Sequence, residues 1–162
     1  IILTKSNLSS PKYIQKILKE DLEVSCPIFK FDYKVKGLYR LDRKFNLKIK
    51  DIKNKRFLAI SGIAQPKSFI RSIENCGGEI ISKIHFSDHH YFREMDIKKI
   101  MNENQRSKPD LIVTTEKDAV KLSAFNEIIE DIWVLEMEIE PKEPWNDFLE
   151  KFIESKFFQS LS

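Results

Sequence analysis

No stretch of about 18 apolar residues occurs in this 162-residue chain, so no helix within it is encoded to cross a bilayer. The apolar opening Ile1 to Thr4 is broken by Lys5 and Ser6, far too early for a signal peptide. Cysteine is confined to Cys26 and Cys76, with no CxxC pairing. Both are expected to be small core residues of a protein kept in a reducing, cytoplasmic compartment. An excess of either charge is nearly absent as well: 28 basic and 25 acidic residues leave a net charge of +3, which permits a phosphate or an anionic surface as partner without requiring either. Basic residues are not interleaved with aromatics as a nucleic-acid platform needs, so no nucleic-acid partner is expected. The pattern GxxxxGK[ST] is missing, and with it a Walker A lysine and a Mg²⁺-binding serine or threonine. The chain starts on Ile1, not Met, in what reads as the middle of a buried strand. We therefore expect a fragment of a longer protein.

What is present reads as a globular domain, with 41% hydrophobic and 33% charged residues. From residue 57 onward, strand and helix patterns alternate. Phe57-Leu58-Ala59-Ile60-Ser61-Gly62 is a short apolar run closed by glycine, as a buried parallel strand would be. Pro66 opens a helix through Phe69, Ile70 and Ile73 that stops at Cys76-Gly77-Gly78. Ile80 to Phe86 is a strand, and Ile97, Ile100 and Met101 mark the next helix. Leu111 to Thr114 is a strand feeding a helix with Ala119, Val120 and Leu122, and Ile132 to Leu135 is a further strand. Trp145, Phe148, Leu149 and Phe152 repeat at helical spacing; this helix is expected to pack on the sheet, with a membrane contact as the alternative. The fold class is α/β, a mainly parallel sheet flanked by helices. The first third differs. Ser10-Pro11 signals a helix start, and residues 26–50 alternate aromatic or aliphatic with charged side chains, as in Phe29-Lys30-Phe31-Asp32-Tyr33. That segment is expected to be an extended β ribbon. The implied division is 1–25, a connecting ribbon at 26–55, and an α/β lobe at 56–162.

Ligands of parallel sheets bind where strands run into helices, and three such loops carry reactive residues. All three histidines, His85, His89 and His90, fall within six residues after one strand, and Asp88 stands beside them. Imidazole titrates near neutrality and can take a proton from an alcohol, with a carboxylate to orient it. The plain alternative is that Asp88 caps a turn and the histidines are solvated; a metal site lacks a second set of ligands with suitable spacing. Thr114-Thr115-Glu116-Lys117-Asp118 sits at the next strand–helix turn. Thr115 and Asp118 have capping-box spacing, and free amides with Lys117 nearby also suit a phosphate or nucleotide. Gly62-Ile63-Ala64-Gln65-Pro66 is a tight turn where glycine permits close approach.

Together, Ala59 to Pro66, Phe86-Ser87-Asp88-His89-His90-Tyr91, and Thr114-Thr115-Glu116-Lys117-Asp118-Ala119-Val120-Lys121 resemble the lipid A 4′-kinase (tetraacyldisaccharide 4′-kinase) family. The resemblance runs from about Ile1 to about Leu135, and implies the Rossmann-like smaller lobe of a P-loop kinase. It implies transfer of the ATP γ-phosphate, with Mg²⁺, to the 4′-hydroxyl of a tetraacyldisaccharide 1-phosphate, the lipid A precursor. The location implied is the cytoplasmic face of the bacterial inner membrane, reached through an N-terminal helix absent from this chain. By resemblance His89 is the catalytic histidine and Asp88 positions it. Thr115, Glu116, Lys117 and Asp118 lie by the nucleotide, and His90, Gly62 and Gln65 face the substrate. The segment Thr4-Lys5-Ser6-Asn7 is similar to a TKxD base-reading element, with Asn7 in place of the acid. Residues 1–25 then close the P-loop lobe, and the ligands for ATP and Mg²⁺ are expected mostly outside this chain, with no metal ligand within it. The fragment alone is expected to be inactive. A non-catalytic nucleotide-binding or regulatory module is the alternative. A metal-dependent hydrolase with an Asp-His-His motif would need further histidines, which the chain does not contain.

Overall fold

The computed structural model describes residues 1–4, 11–21, 26–128, 130–142 and 144–159. The helix start at Ser10 and the segment Lys5-Ser6-Asn7 lie outside the described residues. Along the chain run β1 (Ile2–Thr4), α1 (Pro11–Lys16), β2 (Phe29–Arg40), β3 (Asn46–Lys48), α2 (Ile49–Ile52), β4 (Arg56–Ser61), α3 (Pro66–Asn75), β5 (Glu79–His85), α4 (Glu94–Ser107), β6 (Leu111–Thr115), α5 (Glu116–Leu122), β7 (Ile132–Pro141) and α6 (Trp145–Gln159). They form two compact units: Ile1–Lys34 with Glu138–Ser162, and Val35–Met137.

In the first unit, β1 pairs in parallel with the start of β2, Ile2 opposite Phe29 and Thr4 opposite Phe31. The aromatic stripe of α6 covers those phenylalanines: Trp145 meets Phe29 edge-on at 5.0 Å and Phe31 at 5.4 Å, and Phe148 lies 4.5 Å from Phe29. The helix thus packs on the sheet through its first turn, where aromatic contacts add to area burial. Cys26 is exposed, which corrects the expectation of two core thiols: it precedes β2, outside any strand or helix that would bury it. Cys76 is partly buried, and burial pushes its thiol pKa up.

In the second unit, β7, β6, β4 and β5 lie side by side in that order and all parallel, joined by α3, α4 and α5. This is the strand–helix alternation read from residues 57–135. The expected ribbon is β2 and β3, which extend the same sheet. β3 pairs antiparallel with β2. β2 runs against β7: the Leu41 N–H donates to the Ile132 carbonyl at 2.8 Å, and Lys36 pairs with Glu136 at 2.9 Å, so numbers rise on one strand as they fall on the other.

The period of two along a strand sorts the core into two faces. Phe57 and Ala59 of β4 join Phe69 and Ile73 of α3, Ile52 of α2 and Val113 on one side. Leu58 and Ile60 join Ile97 and Ile100 of α4 and Ala119 and Leu122 of α5 on the other. A strand buried on both faces has to be apolar throughout, which is why β4 reads as a continuous run. Val120, grouped with the core positions of its helix in the sequence, is 76% exposed, because α5 turns Asp118, Ala119 and Leu122 inward and Val120 away from them. Helix α3 stops where Gly77 takes φ +82°, a left-handed conformation that glycine adopts without strain, and the Gly78 N–H returns to the Ile73 carbonyl.

The turn after β2 carries a tight ion pair. The Arg40 guanidinium donates to both oxygens of Asp42, at 3.0 and 2.6 Å, and the Lys44 N–H adds a third bond at 3.0 Å. Hydrogen bonding from Arg40 is the main reason the Asp42 pKa is held down to about 2. A depressed carboxyl contributes stability that is fully present above its unfolded pKa, near ~4, and is lost as pH falls through the folded value. Asp42→Asn should therefore narrow the stability gap to wild type between about pH 4 and pH 2, read from urea midpoints across that range. A gap that stays constant to pH 2 would overturn the account.

Candidate functional site

β6, β4 and β5 are adjacent and parallel, so the loops leaving their C-terminal ends emerge together. These are the three loops singled out in the sequence, and the structure joins them. The Gly62 N–H, just past β4, donates to Asp118 Oδ2 of α5 at 2.9 Å. A Cβ on Gly62 would sit 3.1 Å from Asp118 Oδ1 and 3.4 Å from both the His90 Cβ and the Ser87 carbonyl oxygen. A larger residue would press on both neighbouring loops, so glycine suits a turn this close to them. The loop after β5 is tied back as well, its Phe86 N–H donating to the Ser61 carbonyl at 2.8 Å.

Asp118 is fully buried, and its contacts point inward. Thr115 is the N-cap of α5: its hydroxyl accepts the Asp118 N–H at 3.2 Å and donates to Asp118 Oδ2 at 2.8 Å. The capping reading and the site reading thus share one geometry. Lys117 and Glu116 point outward from the same turn. The Lys117 ammonium lies 3.0 Å from Asp88 Oδ1 and 3.5 Å from His89 Nε2. The bond from Lys117 is the largest cause that holds the Asp88 carboxyl below its usual range, with the His89 N–H at 3.0 Å also contributing.

His89 itself has φ +60°, a left-handed conformation that a non-glycine residue keeps only when its surroundings enforce it. Its ring is 76% exposed, with Nε2 3.8 Å from Asp88 Oδ2. His90 turns the other way. Its ring stacks on Phe86 at 4.6 Å and its Nε2 meets Asp96 Oδ2 at 2.9 Å. Burial pushes the Asp96 carboxyl up, but bonds from His90 and the Arg93 N–H outweigh it and leave the pKa below normal. His85, the last residue of β5, is within 3.5 Å of Ser61 Oγ through Nδ1. Gln65 is exposed at the start of α3, three residues beyond Gly62, where it makes no side-chain capping bond.

Two residues of this cluster escape the sequence reading. Asp96 is the third residue of α4 and accepts the Arg93 N–H, so its place at a helix start was a usable signal. Lys121 lies four residues after Lys117 and three after Asp118, on the same helix face, which was the other signal. Chemically, the cluster offers one exposed imidazole between a carboxylate and an ammonium, on a backbone held from below. Among the described residues, no group of three or more His, Cys, Asp or Glu side chains is placed to hold a metal ion.

A sequence model of the tetraacyldisaccharide-1-P 4′-kinase family matches residues 1–154. The chain belongs to this family. It is 30% identical to the tetraacyldisaccharide 4′-kinase of Bdellovibrio bacteriovorus over 86% of this chain and 41% of that protein. It is 36% identical to that of Flavobacterium johnsoniae, over 75% of this chain and 34% of the relative. With the enzyme of Halothermothrix orenii it shares 41% identity over 45% of this chain and 19% of the other. The chain thus spans well under half the length of these curated relatives. The crystal structure of LpxK from Aquifex aeolicus in complex with ATP superposes with a TM-score of 0.55, covering 95% of this chain and 50% of that one at 19% identity. The tetraacyldisaccharide-1-P 4′-kinase family therefore accounts for the fold of this chain as well as its sequence.

Proposed function

We propose that this chain is the C-terminal part of a tetraacyldisaccharide 4′-kinase. The whole protein transfers the ATP γ-phosphate to the 4′-hydroxyl of tetraacyldisaccharide 1-phosphate, the lipid A precursor, at the cytoplasmic face of the bacterial inner membrane. The observation that carries this reading is His89, exposed between Asp88 and Lys117 on a left-handed backbone where three parallel strands end. His89 takes the proton from the attacking hydroxyl. Asp88, kept ionised by Lys117, is the anion that the resulting imidazolium faces. The Thr115–Asp118 turn lies beside the nucleotide and presents Lys117 as a cation next to the transfer point. His90, Gly62 and Gln65 border the acceptor side.

The residues of this chain do not fit the triphosphate and its metal on their own, because the pattern that cradles phosphates and holds Mg²⁺ is absent. ATP and Mg²⁺ are held by an N-terminal lobe, and a membrane helix there brings the protein to its lipid. We take the unit Val35–Met137 as the smaller lobe and assign Ile1–Lys34 with Glu138–Ser162 to the larger one. The test is phosphate transfer from labelled ATP to tetraacyldisaccharide 1-phosphate in detergent. The full-length protein is expected to be active and the 162-residue chain inactive. Absence of transfer by the full-length protein sinks the assignment, and transfer by the chain alone sinks the division of labour.

A further inference from the structure

Lys121 has no part in the chemistry proposed above, yet it ties the histidine loop to the core. Its side chain is 24% exposed. Its ammonium donates to the backbone carbonyl of His90 at 3.0 Å and stands 3.8 Å from Asp118 Oδ1. That oxygen is buried and makes no hydrogen bond, while Oδ2 of the same carboxylate already accepts from Gly62 and Thr115. A buried carboxylate with one unbonded oxygen fixes a cation beside it, since leaving the charge uncompensated is costly. The ammonium has thus one anchor in the core and one bond to the loop.

The bond falls on the residue after His89. The remaining backbone bonds of this turn are local: His90 N–H to the Ser87 carbonyl at 3.2 Å and His89 N–H to Asp88 Oδ1 at 3.0 Å. The His90 ring is fixed separately, by Phe86 and Asp96. Lys121 is the side chain that reaches the loop backbone from a neighbouring helix, immediately after the position with φ +60°. A left-handed non-glycine residue needs such outside restraint.

We propose that Lys121, with its charge anchored by Asp118, is a positioning residue that holds the His89–His90 backbone and so aims the His89 ring. It touches neither nucleotide nor acceptor. The inference rests on the reading of His89 as the base, and its test separates the two. In the full-length protein, Lys121→Met should lower kcat about ten-fold with the KM for ATP little changed, as a small misplacement of a reacting group does. Lys121→Arg, which keeps the charge and a donor, should recover most of that loss. In the His89→Ala background, Lys121→Met should have no further effect on kcat. An equal loss in both backgrounds overturns the proposal, because Lys121 would then act without His89. The second readout needs no activity: amide hydrogen exchange at His89 and His90 should quicken in Lys121→Met and return toward wild type in Lys121→Arg. Unchanged exchange at both amides overturns the proposal too. If exchange quickens while His89→Ala keeps full activity, the base assignment fails and the positioning contact stands.

Discussion

Replacing His89 by alanine in the full-length protein is expected to lower kcat by ~10²-fold or more while the KM for ATP moves little, the pattern left by a lost general base. The expectation follows from what the ring does and does not touch. It is 76% exposed and packs into no core, so its removal leaves no cavity and should barely change stability. Its neighbours are one carboxylate and one ammonium, Asp88 and Lys117, which bond to each other at 3.0 Å and remain in place without it. The left-handed backbone at this position is a cost that alanine shares, so the substitution removes the imidazole and little else. Steady-state kinetics with ATP and tetraacyldisaccharide 1-phosphate, paired with a thermal melt, decide the matter. An unchanged kcat would confine His89 to a turn. A large fall in the melting temperature would mean that the ring carries structure that its exposure does not show.

The fold was legible where burial dictates composition. β4 and β6 are covered on both faces, so Phe57-Leu58-Ala59-Ile60 and Leu111-Ile112-Val113 had to be apolar runs, and their order with α3 and α5 was enough for a parallel sheet. The three loops were legible because the ends of parallel strands share an edge. Other features were not. The role of Asp118 in joining two loops depends on Gly62, 56 residues earlier, and no local pattern encodes a contact of that range. Lys121 reads as an ordinary outward lysine until the His90 carbonyl is placed against it. The partition of the chain is equally non-local, because the end of the chain returns to its beginning through Trp145 and Phe148 on Phe29. Cys26 departs from the expected burial because the lack of a CxxC partner says nothing of where a thiol sits, and its place outside any regular element leaves it exposed.

The second large effect concerns Asp118, and two substitutions separate its functions. Asp118→Ala removes the acceptor for the Gly62 N–H and the Thr115 hydroxyl and strips the Lys121 ammonium of its anion, all in a fully buried position. Breaking one side of such an arrangement costs about 3–5 kcal/mol. Asp118→Asn has nearly the same shape and keeps one oxygen for Gly62 and Thr115, so it loses mainly the charge. Its cost should be smaller, about 1–3 kcal/mol, the range for a buried polar group left imperfectly matched. Urea denaturation of the full-length variants measures both. Equal and negligible costs would refute the idea that Asp118 ties the loop after β4 to the start of α5. Nucleotide binding then tells the two roles of the turn apart. Lys117 reaches out from the turn that Asp118 locks, so loosening the lock should weaken ATP affinity several-fold in Asp118→Asn, measured well below its melting temperature. If stability falls and ATP binding does not, the residue is a helix cap and loop tie alone, and the nucleotide lies away from this turn.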